Sequence, residues 1–140
     1  MGYDVMKTWV EKAQYGNQKI GDRSAIDSFW LTGDLRITPQ EQIDFLRRLQ
    51  QDKLPFGKRA IATVKNIMIL EQTPQYTLRA KTGWSNYGEP KLPQQGWLVG
   101  YVEQNKNTYF FATHIDIREP LDAKARMLIT RSCLKDLGLL

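Results

Sequence analysis

The run Tyr76-Thr77-Leu78-Arg79-Ala80-Lys81-Thr82-Gly83-Trp84 is where the chain changes period, from helical spacing before it to strand spacing after it. Tyr76 to Ala80 reads as a strand that runs into Lys81-Thr82-Gly83-Trp84 at its end. Gly96-Trp97-Leu98-Val99-Gly100-Tyr101-Val102-Glu103 gives a second strand, Asn105-Lys106-Asn107 a turn, and Thr108 to Ile117 a third. Two strands joined by so short a turn must pair antiparallel. Beyond them Ala125, Leu128, Ile129 and Leu134 recur at helical spacing, predicting a closing helix from about Leu121 or Asp122 to Leu137, stopped at Gly138.

Upstream of the run the pattern is helical. Val5, Met6, Trp9 and Val10 mark a first helix, which Gln14-Tyr15-Gly16-Asn17 ends with two residues that tolerate positive φ. Residues 16 to 37 read as a loop, yet Ile20, Ile26, Phe29, Trp30, Leu31 and Leu35 are too apolar for a purely solvated one. A long loop that packs its own side chains is usually functional. Thr38-Pro39-Gln40-Glu41 is a capping box with proline at the first helical position, so a helix starts there. Its apolar face is Ile43, Leu46 and Leu49, and Leu54-Pro55-Phe56-Gly57 stops it. Ala60, Ile61, Val64, Ile67 and Met68 mark another helix, ended before Thr73-Pro74.

Composition fits an ordinary globular segment of 140 residues, with 41% hydrophobic and 25% charged side chains, which excludes collagen, coiled coil and global disorder. No apolar run approaches the ~20 residues of a membrane helix, and no signal-peptide h-region follows Met1. The single cysteine, Cys133, provides neither a disulfide framework nor a metal cluster. The net charge of +5 comes from Lys and Arg scattered among Asp and Glu, which argues for a solvated surface and against nucleic-acid binding. No repeat, linker or low-complexity tract divides the chain, so residues 1–140 read as part of one domain.

Several motifs fall in a fixed order around the central run. Tyr15-Gly16-Asn17 is followed by Phe29-Trp30-Leu31-Thr32-Gly33, Leu35-Arg36-Ile37, Lys81-Thr82-Gly83-Trp84, the Gly96 strand, Tyr109-Phe110-Phe111-Ala112 and Arg126. In this order and spacing the set resembles the class D (oxacillinase-type) serine β-lactamases, from about Val5 to Leu139. K-T-G follows an S-x-x-K nucleophile element in such enzymes. Upstream of Lys81 no serine is followed three residues later by lysine, since Ser24 and Ser28 lead to Asp27 and Leu31. The chain therefore resembles a C-terminal half that lacks the nucleophile region.

The resemblance implies the transpeptidase-like fold of β-lactamases and penicillin-binding proteins, an antiparallel sheet flanked by helices (α+β), incomplete in this chain. It implies a parent reaction as well: hydrolysis of the β-lactam amide through a serine acyl-enzyme, with this chain inactive alone. A β-lactam carries a carboxylate beside its strained amide, so recognition needs a fixed cation, a hydroxyl and a strand edge. Lys81 and Thr82 match the first two, and Gly83 lets the backbone approach the ligand. The Trp84 backbone amide matches one of two oxyanion-hole donors, the other belonging to the nucleophile. Arg126 matches the arginine that pairs with the ligand carboxylate through two parallel donors. Residues 121 to 126 depart from the commoner small or apolar pattern, so Lys124 and Arg118 remain rivals.

Class D enzymes use as general base a lysine carbamate formed with carbon dioxide, and that lysine lies in the S-x-x-K region. Trp30 matches the tryptophan whose indole N–H, a donor only, suits such an anion in an apolar pocket. Tyr15 and Asn17 match the element that shapes the site wall, a structural role first. No metal or other cofactor is implied. Two further residues are weighed and set aside. Ser132-Cys133-Leu134-Lys135 is a literal S-x-x-K but falls after K-T-G in the closing helix, and His114 is a lone histidine read as a core or sheet-face residue.

The implied partners are β-lactam small molecules, with no nucleic acid and no membrane. A missing N-terminal half, or self-association through an exposed strand edge, completes the set. The implied location is the periplasm, although this chain carries no signal peptide. Two alternatives stand beside hydrolysis: a penicillin-binding sensor or transpeptidase domain, and a non-catalytic remnant.

Overall fold

The computed structural model describes residues 2–31, 33–87 and 91–140; Thr32 of the Phe29-Trp30-Leu31-Thr32-Gly33 element lies outside them. The elements are α1 (Tyr3–Ala13), a 3-10 turn (Arg23–Ala25), α2 (Pro39–Gln50), α3 (Lys58–Ile67), β1 (Ile69–Gln72), β2 (Tyr76–Ser85), β3 (Gln94–Gln104), β4 (Asn107–Ile117) and α4 (Asp122–Asp136). The strands form one antiparallel sheet in the order β1-β2-β3-β4.

The sequence predicts three strands, and the described residues form four. The stretch assigned to the tail of the helix marked by Ala60 to Met68 instead leaves α3 at Ile67 and becomes β1, which pairs with Thr77–Arg79 across a bulge. A second correction concerns K-T-G, which lies inside β2 rather than at its end, because pairing with β3 continues from Lys81 through Ser85.

Local chemistry explains the other boundaries. Thr38 Oγ1 accepts from the Glu41 amide at 3.2 Å, and Glu41 Oε2 accepts from the Thr38 amide at 2.8 Å, so two amide donors at the start of α2 are satisfied reciprocally. The β3–β4 hairpin turns on Asn105 and Lys106, both at positive φ (49° and 65°), the twist that suits two-residue hairpins.

Strand alternation sends the two sheet faces to different partners. Tyr101 meets Leu46 and Leu49 of α2, Ile61 of α3, Leu54 and Met68. Leu78 and Val102, on the other face, meet Leu134 of α4 and Leu139. The result is three layers, α2 and α3 over the sheet and α4 beneath it. Each fully buried large side chain contributes about 1.5–3 kcal/mol. Burial pushes the Tyr101 phenol up to about 12, and its hydroxyl has no hydrogen-bond partner among the described residues.

β4 is one edge of the sheet. Among the described residues no helix is long and apolar enough to cross a membrane.

Candidate functional site

β1 covers only part of the outer side of β2. Its ladder with β2 ends at Ile69–Arg79, and the Ala80 amide then donates to the Met68 carbonyl at 2.8 Å. Backbone groups alternate along a strand, so the amides of Thr82 and Trp84 point the same way as that of Ala80, past the end of β1 and out of the sheet. K-T-G therefore offers an open strand edge on one side while β3 holds it on the other.

Side chains alternate as well. Lys81 and Gly83 lie on the α2 face of β2, Thr82 and Trp84 on the α4 face. Lys81 is exposed and its Nζ donates to the Thr82 carbonyl at 2.5 Å. Among the described residues a Cβ on Gly83 would meet only the Trp97 Cβ at 3.5 Å, an ordinary contact, so their packing does not require glycine there.

Arg126 reaches this segment from the first turns of α4. Its guanidinium donates to the Gly83 carbonyl at 2.9 Å and lies 5.8 Å from the Trp84 ring centroid, within cation–π range. Gly96, the register partner of Trp84, makes room for it: a Cβ there would come within 3.2 Å of the guanidinium and 2.8 Å of Ile117 Cδ1. The rivals are elsewhere. Lys124 and Arg118 are exposed, and Arg118 uses its backbone amide to bond the Asp122 carboxylate at 2.9 Å. Among the three candidates only Arg126 is brought to K-T-G.

A cavity of about 680 Å³ opens between the sheet and the α2 layer. Lys81 and Trp97 line it from the sheet, Tyr15, Phe45 and Trp30 from the other side. Trp30 stacks edge-on against buried Phe29 at 4.9 Å, which leaves its indole half-exposed toward the cavity. Among the described residues that indole N–H has no hydrogen-bond partner, so an anion in an apolar cavity fits it.

Tyr15-Gly16-Asn17 works as a clamp. Asn17 accepts from the Arg36 amide at 3.0 Å, gives its side-chain amide to the Asp34 carbonyl at 2.9 Å and its backbone amide to the Arg36 carbonyl at 2.9 Å. Gly16 has φ +52°, and a Cβ would sit 2.2 Å from the Arg36 carbonyl oxygen. Tyr15 donates to Gln42 Oε1 at 2.8 Å; burial pushes its phenol up despite that bond, which makes it a structural donor. Arg48 fixes the clamp from α2 through the Ala13 and Gln14 carbonyls at 2.8 and 3.1 Å.

The two residues set aside in the sequence stay outside the site. Ser132 is exposed on α4, and His114 is an exposed sheet-face residue stacked on Trp97 at 4.4 Å. Sequence reasoning missed Gln94, Tyr87 and Gly96, which surround Trp84 and Arg126. Only the register between β2 and β3 brings Gln94 and Gly96 to Trp84, whereas Tyr87 follows it by three residues in the chain.

Residues 1–135 match the penicillin binding protein transpeptidase domain, and the chain belongs to that family. Within it the homology is to the class D β-lactamases, over their C-terminal portion. The chain is 41% identical over 135 residues to β-lactamase OXA-48 of Klebsiella pneumoniae, covering 96% of this chain and 49% of that protein. It matches a crystal structure of a class D β-lactamase from Nostoc with a TM-score of 0.92 and 52% identity, over 99% of this chain and 57% of that one. It is also 33% identical over 137 residues to the methicillin resistance mecR1 protein of Staphylococcus aureus, over 98% of this chain and 23% of that protein. The chain spans about half the length of the curated β-lactamases it matches.

Proposed function

We propose that this chain is the ligand-recognising half of a periplasmic serine β-lactamase of class D, which opens the β-lactam amide through a serine acyl-enzyme. The observation that carries the reading is the Arg126 guanidinium bonded to the Gly83 carbonyl beside an open K-T-G edge. There Thr82 and Arg126 take the ligand carboxylate, Lys81 supplies a cation near the reacting amide, and the outward Trp84 amide donates to the developing oxyanion. One oxyanion donor is worth about 2.7–4 kcal/mol in the transition state. Neither an S-x-x-K serine nor its lysine stands before K-T-G in these 140 residues, so the chain alone binds without hydrolysing. A lysine carbamate, when present in the complete site, would supply the general base, and Trp30 would hold that anion with its indole N–H. Tyr15 and Asn17 keep the wall of the cavity in place.

The test uses the purified chain with nitrocefin and with a fluorescent penicillin. Neither hydrolysis nor covalent labelling is expected, while benzylpenicillin binds reversibly and Arg126→Ala weakens that binding at least about tenfold. Covalent labelling at Ser132 would overturn the assignment.

The mecR1 relative favours a second reading, a penicillin-binding sensor that acylates and does not deacylate. Joined to an S-x-x-K half, a sensor would hold the labelled penicillin and the hydrolase would release it. A non-catalytic remnant would do neither.

A further inference from the structure

Arg126 is held from above by an indole whose own orientation is fixed. Trp84 Nε1 donates to Gln94 Oε1 at 2.8 Å, and the ring meets Tyr87 edge-on at 4.8 Å with an interplanar angle of 76°. Gln94, Gly96 and Trp84 share the α4 face of the sheet, with Trp84 and Gly96 in direct register. The guanidinium thus lies in a slot with the indole on one wall, the bare backbone of Gly96 on another and the Gly83 carbonyl at its end.

From this geometry we infer that Gln94 is a positioning residue for the anion-binding arginine, acting through the Trp84 indole. The inference rests on the proposed role of Arg126 in taking a carboxylate. A guanidinium binds a carboxylate bidentately only when its plane is set, because two parallel donors must meet two oxygens together. The Gly83 carbonyl fixes one nitrogen and leaves the plane free to rotate about that bond. The indole face restricts the rotation. An indole free to turn about χ1 and χ2 would not, and the Gln94 acceptor removes that freedom.

The test is heteronuclear NMR of the full 140-residue chain labelled at the tryptophan indole nitrogens. It is titrated with benzylpenicillin and, as the uncharged control, with benzylpenicillin methyl ester. The acid is expected to shift the Trp84 indole resonance, identified by its loss in Trp84→Phe, and the ester is not. Gln94→Met, which keeps the length and removes the acceptor, should weaken binding of the acid about three- to tenfold, the effect of one hydrogen bond. In a Trp84→Phe background, which keeps an aromatic face but has no N–H, Gln94→Met should cost less than in the parent, the signature of coupled residues.

Unchanged affinity in Gln94→Met, or the same loss with and without the indole N–H, overturns the inference while leaving Arg126 in its role. If Arg126→Ala binds the acid as tightly as the parent, the carboxylate reading falls and takes the inference with it. Should Gln94→Met fail to fold, the wild-type chain still decides: a Trp84 indole signal indifferent to the acid overturns the proposal.

Discussion

The Arg126 guanidinium and the Gly83 carbonyl lie 2.9 Å apart, joining the first turns of the last helix to the glycine of K-T-G. This bond separates Arg126 from Lys124, which sits two residues earlier and is exposed. On a helix, residues two apart do not share a face. Arg126, Thr130 and Leu134 form the inward stripe of α4, with Thr130 bonded to Thr113 of β4 at 2.6 Å and Leu134 in the core.

Removing Arg126 should therefore cost ligand affinity in a way that removing Lys124 does not. A hydrogen bond to a charged group contributes about 1.5–3 kcal/mol, or roughly ten- to 150-fold in binding. Equilibrium titration with benzylpenicillin should show that loss for Arg126→Ala and less than about twofold for Lys124→Ala, a surface change. The reverse order would move the anion site to Lys124.

Gly16→Ala should damage the loop that carries Trp30. The added Cβ would lie 2.2 Å from the Arg36 carbonyl oxygen, and the residue would be held at φ +52°. Strain at such positions costs of order 1–3 kcal/mol, with a backbone clash added to it. Thermal melting should show the variant destabilised by about 2 kcal/mol or more, and Asn17→Ala should follow it through its lost loop contacts. A Gly16→Ala chain as stable as the parent would show that the clamp yields freely.

How far the sequence reveals this architecture depends on how local each signal is. The start of α2 is legible because Thr38, Pro39 and Glu41 lie within four residues and satisfy one another. The β3–β4 hairpin is legible because its turn is short. β1 is not, since Ile67, Met68 and Ile69 continue an apolar helical pattern and only pairing with Thr77–Arg79 makes Ile69–Gln72 a strand. In the site, motif order yields K-T-G, Trp30 and Arg126, although the choice over Lys124 needs the helix packed. Gln94 carries no signal, because its bond to Trp84 spans ten residues and exists only after β2 and β3 align.

Acid should loosen the join between α4 and the β1 edge. The Tyr76 hydroxyl and then the Arg131 guanidinium, at 2.7 Å, hold Glu71 below its ordinary value of 4.5. A carboxylate with a depressed folded value contributes stability above its unfolded value and loses it as pH falls through the folded one. Glu71 in turn raises Tyr76 above 10.0, so the phenol's contribution is present at neutral pH and lost in strong alkali. Between neutral pH and about pH 3 the melting temperature should fall, and Glu71→Gln should fall less steeply. Some slope will remain, because Glu41 and Asp22 are lowered too, by their bonds to Thr38 and Ser24. Identical slopes for parent and variant would show that Glu71 does not couple folding to protons.

The last prediction concerns what covers β4 and the outer side of α4. Leu128 and Ile129 are 67% and 48% exposed, and Tyr109 is exposed on β4, an edge strand of the sheet. An apolar edge templates pairing with another chain, and apolar surface gains about 25 cal/mol for each Å² withdrawn from water. The chain should therefore associate through this edge, with a second copy when alone and with the other half of the domain when that is supplied. Sedimentation should show oligomers that grow with concentration, and Tyr109→Lys, which places a charge on the edge, should shift them toward monomer. Adding the N-terminal half of the Nostoc class D β-lactamase, whose structure this chain matches at 52% identity, should give a one-to-one complex. A monomer at every concentration, melting in one sharp transition and indifferent to that half, would show that the four strands and their helices suffice by themselves.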